Sequence, residues 1–384
     1  MAFYLTVKEI WRNRGRYLLF SLVIALITTL VLFIAALAGG LANANKQFIE
    51  KLEADLLVFQ ENTELQATSS RLGPDNLREV RRVDGVAAAG PVGFSTASIV
   101  IPGRADPVDV SLIGVEPGLP GDPALITGPG FKSKRNDDAV IDESLAEAAQ
   151  LSVGDRITLK TIQGTEEEYF DLEIVGITSE RQYFFQPALL VPLATWEKIR
   201  PQPGTGNGRA EPVFNMIAVR LSHPADWEAL AGQISRQVDG IEVADKKTAI
   251  LAIPGYTAQQ STLNTQQGFT LLIGVLVVGG FFQIQTLQKV AQIGMLKAIG
   301  SSNRTVAAAA LLQIIAVTVL GVGIGSLGTV LLSLGMPNNV PILFTGTTFA
   351  ASIAALLLIG PLGGLVSIRL ALKIDPLTAI GLSS

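Results

Sequence analysis

The 384 residues are 48% hydrophobic and 16% charged, with a formal net charge of −4, one histidine and no cysteine. A soluble domain is ordinarily about 25% charged, so this depletion excludes a wholly soluble chain. With one His and no Cys, a zinc site or a Cys–His nucleophile pair is excluded as well, and nucleic acid is not an expected partner.

The chain opens on a basic tail, residues 1–16, holding Lys8, Arg12, Arg14 and Arg16 beside Glu9. Residues 17–41 then carry no charge. About 20 apolar residues cross a bilayer at 1.5 Å per residue, so this run is a candidate span. The basic front and the small residues of AALAGGLANA also fit a cleaved signal peptide. A signal h-region is about 7–15 residues, shorter than this run, which favours a retained anchor.

Residues 42–262 read as a large α+β segment. ADLLVF (54–59) is a short strand pattern. GPDNLREVRRVDG (73–85) predicts a helix, with Pro74 in its first turn, Leu77, Val80 and Val83 on one face, and Gly85 at its end. ASIVIPG and VDVSLIGV are β-branched runs broken by Gly and Pro. FNMIAVRLS (214–222), PADWEALAGQISRQV (224–238) and IEVAD (241–245) repeat the strand–helix–strand order, with Trp227, Leu230 and Ile234 on one helix face. Two such units, 42–118 and 212–262, therefore flank a β-rich insert of about 119–211, closed by the linker RPQPGTGNGRAEP. Without cysteine, this segment must hold together by burial, and its size allows that.

GYTAQQSTLNTQQ (255–267) reads as a polar helical stalk leading into three further charge-free runs, 268–287, 306–334 and 344–368. Lys and Arg in short loops mark the cytoplasmic side. The N-terminal tail, the 288–305 loop and the C-terminal tail carry Lys and Arg with only Glu9 and Asp375 as acids. Four spans that start inside finish inside, so the large segment lies outside the cytoplasm and the uncharged 334–344 connection with it.

Catalytic constellations are missing. His223 sits at a strand-to-helix turn with no partner type available, and reads as a turn residue. Asp137-Asp138, Asp142-Glu143 and Glu166-Glu167-Glu168 lack the spacing of a Ca²⁺ loop and read as solvated surface. No G-x-x-x-x-G-K-[ST] phosphate loop occurs. The spans carry Ser, Thr, Gln and Gly instead of the ionisable groups that ion-coupled carriers keep in the bilayer. Gly321 with Gly325, and Gly360 with Gly364, stand four residues apart and offer small faces for helix packing. In the loop, Ile293, Leu296 and Ile299 or Gly300 fall on one helical face, Gly300 stops a short helix, and Ser301 or Ser302 caps the next. An apolar ridge on such a loop suggests docking.

IGMLKAIGSSNRTV (293–306) is similar to the cytoplasmic loop of FtsX/MacB-type ABC-transporter permeases. RLALKIDPLTAIG (369–381) resembles their closing basic helix, VKEIWRNRGRYLLF (7–20) their amphipathic entry helix, and the segment containing SLAEAAQLSVGDRITL their periplasmic core. The resemblance covers essentially the whole chain. It implies an α-helical membrane protein with four transmembrane helices and a large extracytoplasmic α+β domain inserted between helices 1 and 2. Its parts would be an entry helix at 1–16, spans at 17–41, 263–288, 306–334 and 344–368, a core domain at 42–262, a coupling loop at 289–305 and a tail at 369–384.

The resemblance further implies that Ile293, Gly294, Leu296, Lys297, Ala298, Ile299, Gly300 and Ser301 form a coupling helix seated in a separate cytoplasmic ABC ATPase subunit. Gln292 stands where the family carries Glu. ATP and Mg would belong to that ATPase; no cofactor, metal or catalytic residue is expected of this chain. Further implied partners are a second permease copy, identical or related, a periplasmic adaptor and membrane lipids, in a bacterial plasma membrane with both termini cytoplasmic. Family members of this kind use ATP-driven closure to rearrange their outer domains, which implies export or extraction of a lipid, lipoprotein, glycolipid or peptide. A division-type FtsX that activates a wall hydrolase is the alternative, against which the size of the outer segment argues. A receptor without a motor is the third reading.

Overall fold

The computed structural model describes residues 2–101, 106–134, 136–183, 185–201, 213–336, 340, 342–344 and 346–373. Most of the RPQPGTGNGRAEP linker, part of the 334–344 connection and the tail after 373 lie outside the described residues. The chain divides into two compact units, 1–40 with 260–384, and 41–259.

In chain order the elements begin with α1 (Ala2–Arg12), α2 (Arg14–Glu50), β1 (Leu56–Gln60), α3 (Pro74–Arg82), β2 (Val86–Val100) and β3 (Val108–Val115). The middle of the chain gives β4 (Leu125–Thr127), β5 (Asp138–Asp142), α4 (Glu143–Ala149), β6 (Arg156–Gln163), β7 (Glu166–Thr178), β8 (Ala188–Pro192) and α5 (Leu193–Ile199). Then follow β9 (Met216–Leu221), α6 (Trp227–Gln237), β10 (Ile241–Asp245), α7 (Lys246–Leu251), α8 (Tyr256–Gln288), α9 (Val290–Ala298), α10 (Asn303–Leu334) and α11 (Gly346–Lys373).

In the 41–259 unit, β1–α3–β2 and β9–α6–β10 form two strand–helix–strand units whose strands lie in the order β10-β1-β9-β2, all neighbours antiparallel. That is the split βαβ arrangement of ferredoxin-like folds. Alternation along β1 decides what each face meets. Leu56 and Val58 pack with Leu77 and Val80 of α3 and Ile234 of α6. Leu57 and Phe59 join Phe48 and Ile49, from the end of α2, and Ala249 of α7. Trp227, at the start of α6, stays 36% exposed, so the apolar face of that helix is carried by Leu230 and Ile234.

The sheet continues from β2 through β3, β8, β5 and β7 to β4, with β6 bridging β2 and β7. β3–β8 and β5–β7 are the parallel pairs. Gly93 and Gly114 face each other across β2 and β3. A Cβ on either would stand 2.7 or 2.5 Å from the Trp196 side chain, so the glycine pair is the flat floor on which that buried indole lies.

The carboxylates do not all lie in solvent as the sequence suggests. Glu166, Glu167 and Glu168 are exposed, but Asp138 and Asp142 are buried. Asp142 caps α4: one oxygen accepts from the Leu145 N–H at 2.8 Å and the Ser144 hydroxyl at 2.9 Å, the other from the Ala188 N–H at 3.0 Å. Burial raises its pKa above 3.8, and these donors offset that only in part. A raised carboxylate pKa stabilises the fold fully below the unfolded value and loses that contribution as pH climbs through the folded value. Asp142→Asn removes the titration. The stability of the natural chain relative to the variant is therefore expected to fall as pH rises above about 3.8, read from denaturant unfolding across pH.

In the other unit, α2, α8, α10 and α11 contain four stretches long and apolar enough to cross a membrane. α2 runs unbroken through AALAGGLANA. Val31, Leu32, Val278, Phe282, Val317 and Ile359 meet in the interior of the bundle. Leu18, Leu22, Leu26 and Leu30, one helical turn apart along α2, are exposed, as a lipid-facing stripe would be.

Candidate functional site

α9 is a nine-residue helix between two candidate spans. Its end is built by Gly300, at φ +97°, a conformation that L side chains rarely adopt. There the Ser301 N–H donates to the Leu296 carbonyl at 3.1 Å and the Gly300 N–H to that of Lys297 at 2.9 Å, the two bonds of a Schellman motif. Ser302, not Ser301, caps α10, its hydroxyl accepting from the Thr305 N–H at 3.2 Å.

The expected coupling residues separate into two groups. Met295, Leu296 and Ile299 are 60%, 37% and 82% exposed, with Ala298 and Gly300 exposed beside them. Ile293 is half-buried, Gly294 buried and Ser301 half-buried. The apolar ridge is thus Met295–Leu296–Ile299 and not the Ile293–Leu296–Ile299 line. Lys297 turns away from it and donates to the Leu372 carbonyl at 2.8 Å, in the last turn of α11. A cation there complements the negative end of the helix dipole and ties α9 to α11.

Behind the ridge, a cleft of about 510 Å³ is lined by Glu9, Lys289, Gln292, Ile293, Leu296 and Gln313, among others. Sequence reasoning missed the cluster at its edge. The Lys289 ammonium pairs with the Glu9 carboxylate and donates to the Tyr17 hydroxyl at 3.1 Å. Tyr17 in turn donates to Gln313 Oε1 at 3.2 Å, and Gln313 Nε2 donates to Glu9. Four helical segments meet in this way: α1, the start of α2, the α8–α9 junction and α10. The available signal was Lys289 itself, the first charge after a charge-free run from residue 248.

Both ions are mostly buried, with side chains 17% and 26% exposed. Lys289→Met is expected to destabilise the bundle by about 1–3 kcal/mol, because it leaves partly buried acceptors unpaired. Glu9→Gln combined with Lys289→Met should cost clearly less than the two single changes added. A double-mutant cycle on unfolding in detergent measures that coupling, and additivity would show the groups to be independent.

The four glycines singled out by spacing all lie at helix contacts. Cβ atoms on Gly321 and Gly325 would meet Ile24, Ser21, Ala25 and Thr28 of α2. On Gly360 and Gly364 they would meet Thr318 and Ile314 of α10. A closer pair was not anticipated: Gly279 of α8 and Gly363 of α11 bring backbone against backbone, a Cβ on Gly363 standing 2.9 Å from the Gly279 nitrogen.

Comparison with known proteins places two family models on this chain. A MacB-like periplasmic core domain matches residues 17–237, and an FtsX-like permease C-terminal domain matches residues 268–376. A protein named as a hemin transport system permease protein, HrtB, of Staphylococcus haemolyticus (strain JCSC1435) is 29% identical over 97% of this chain and 98% of its own length. A protein named likewise in Staphylococcus epidermidis (strain ATCC 12228 / FDA PCI 1200) is 25% identical over 97% of this chain and 98% of its own length. Among solved structures, the periplasmic region of MacB from Actinobacillus actinomycetemcomitans matches 53% of this chain and 95% of its own, with TM-score 0.37 and 14% identity. The extracellular domain of the noncanonic ABC-type transporter YknZ from Gram-positive bacteria matches 50% and 99%, with TM-score 0.36 and 14% identity.

Proposed function

Because this chain belongs to the MacB/FtsX family of ABC-transporter permeases, we propose that it carries the force of a separate cytoplasmic ATPase to its large domain and that its cargo is hemin. The observation that carries the route is the exposed Met295–Leu296–Ile299 ridge on a helix fixed from behind by Lys297. An apolar patch with a polar surround and a rigid backing is a docking surface, and a nucleotide-driven subunit supplies what this chain lacks. ATP and Mg then stay with the ATPase.

Movement at α9 has two ways into the bundle in this reading. One is Lys297 onto α11, the other the Glu9–Lys289–Gln313 cluster onto α1 and α10. Both termini lie in the cytoplasm by the distribution of Lys and Arg. A second copy of the permease, surrounding lipid and an adaptor outside the membrane complete the assembly. The hemin reading is supported by the names of relatives that align over 97% of this chain. A lipid, lipoprotein, glycolipid or peptide cargo, implied by family resemblance, is the alternative the test below separates from it. A wall-hydrolase activator remains the competing activity.

The test is reconstitution of the permease with its ATPase in vesicles loaded with hemin. ATP-dependent clearance of hemin is expected. ATP hydrolysis without clearance would reject the cargo, and clearance unaffected by disruption of the α9 ridge would reject the route.

A further inference from the structure

A second cavity of about 510 Å³ opens wholly within the 41–259 unit. It lies where the three buried clusters of that unit approach one another: Phe94 and Tyr183 come from one, Trp196 from another and Phe214 from the third. Its size falls in the range of about 300–1,000 Å³ usual for small-molecule sites. The Phe94 and Tyr183 rings lie 4.8 Å apart at 31°, and the indole N–H of Trp196 donates to the Ser95 hydroxyl at 2.9 Å. One wall is therefore aromatic and held in place.

The polar side is cationic. Arg71 and Arg200 both line the cavity. The Arg200 guanidinium lies over the Trp196 ring, 5.2 Å from its centre, and its Nε is buried with no acceptor among the described residues. Burial first, and the Arg71 charge after it, lower the proton affinity of Arg200, with Glu197 opposing them. Arg71 Nη1 donates to the Thr68 and Ser70 carbonyls, both at 2.9 Å. The two guanidinium groups on one cavity repel each other, and an anion between them would relieve that repulsion. A small inorganic anion would leave the aromatic wall unused, whereas an amphiphile satisfies both sides.

We propose that this cavity binds a flat amphiphilic carboxylate, with its carboxyl group on Arg71 and Arg200 and its apolar body against Phe94, Tyr183, Trp196 and Phe214. The assignment of hemin, a planar ring with carboxylate arms, as the occupant rests on the cargo reading above. The site would then be a station for cargo in the large domain, separate from the surface that meets the ATPase.

The experiment titrates full-length permease, with its ATPase in lipid nanodiscs, against hemin and against hemin dimethyl ester, in which the carboxylates are capped. Empty nanodiscs give the partition background. Arg71→Gln with Arg200→Gln is expected to weaken hemin binding about tenfold or more, the scale of a lost charge-assisted pair. The natural chain should bind the ester about as weakly as the variant binds hemin. Arg71→Gln alone, which also removes the Arg71 hydrogen bonds to the Thr68 and Ser70 carbonyls, should give a smaller loss in the same direction, with thermal unfolding of each variant separating lost binding from lost fold.

Equal hemin affinity in natural chain and double variant, or equal affinity for hemin and its ester, would overturn the site. If vesicle clearance of hemin persists in that case, the cargo reading stands without it. Ester-sensitive, arginine-dependent binding with no clearance would keep the carboxylate site and remove hemin as cargo.

Discussion

Ile299→Asp is expected to leave the permease folded and inserted while reducing its association with the ATPase by about thirtyfold, the effect of losing an interface anchor worth at least about 2 kcal/mol. The position suits the test because Ile299 is 82% exposed and its side chain supports nothing in the isolated chain. Leu296→Asp should act in the same direction, but Leu296 also lines the cleft behind α9, so part of its effect would come from the bundle. Ile299→Ala should fall between the natural chain and the aspartate. Copurification of the ATPase with each tagged variant reads association, and ATP turnover in the reconstituted complex reads coupling. A receptor without a motor would tolerate all three changes. Unchanged copurification of Ile299→Asp would move the docking surface elsewhere.

The choice of Ile299 shows where sequence reasoning stops. The residues of the short helix, its glycine stop and the cap that follows are all legible in IGMLKAIGSS, because local backbone chemistry decides them. Its rotation is not. Nearly every position of α9 is apolar or small, so periodicity gives no unique face, and the packing of Gly294 and Ile293 against the bundle puts Met295 outside in their place. The partner of Lys297 is likewise not legible from pattern, since only the fold brings the Leu372 carbonyl within its reach.

The same limit applies in the large domain. β1, α3, β9 and α6 carry periodic apolar faces and could be placed from them. The first half of β2, VAAAGPVGF, has neither β-branched alternation nor a single apolar face. It is a strand because β9 pairs with it from Val86 to Val92, and Gly93 is required there by the indole of Trp196. Asp142 looks like surface charge in the sequence. Its burial depends on the backbone N–H of Ala188, a donor 46 residues away.

Gly363→Leu is expected to produce the largest loss among changes inside the membrane helices. A Cβ there would stand 2.6 Å from the Val275 carbonyl oxygen and 2.9 Å from the Gly279 nitrogen. These are backbone atoms of a neighbouring helix, so no rotamer can relieve the overlap and α8 and α11 must separate. Overpacking of this kind costs about 1–3 kcal/mol and rises when the obstacle is main chain. Gly325→Leu should behave similarly, because its Cβ would stand 2.5 Å from the Ala25 carbonyl oxygen of α2.

Two neighbours separate close packing from the mere loss of glycine. At Gly280 and Gly323 nothing lies within 4 Å of the point a Cβ would occupy, so Gly280→Ala and Gly323→Ala should be neutral or stabilising by up to about 1 kcal/mol through helix propensity. Thermal unfolding in detergent orders the four variants, and ATP turnover of the complex shows whether coupling follows stability. If Gly363→Leu lowers coupling while ion leakage through proteoliposomes stays at background, the helices act as packed bodies that transmit movement. If it opens an ion leak instead, the bundle carries a pathway along the α8–α11 contact, and the force-transmitting reading of these four spans fails.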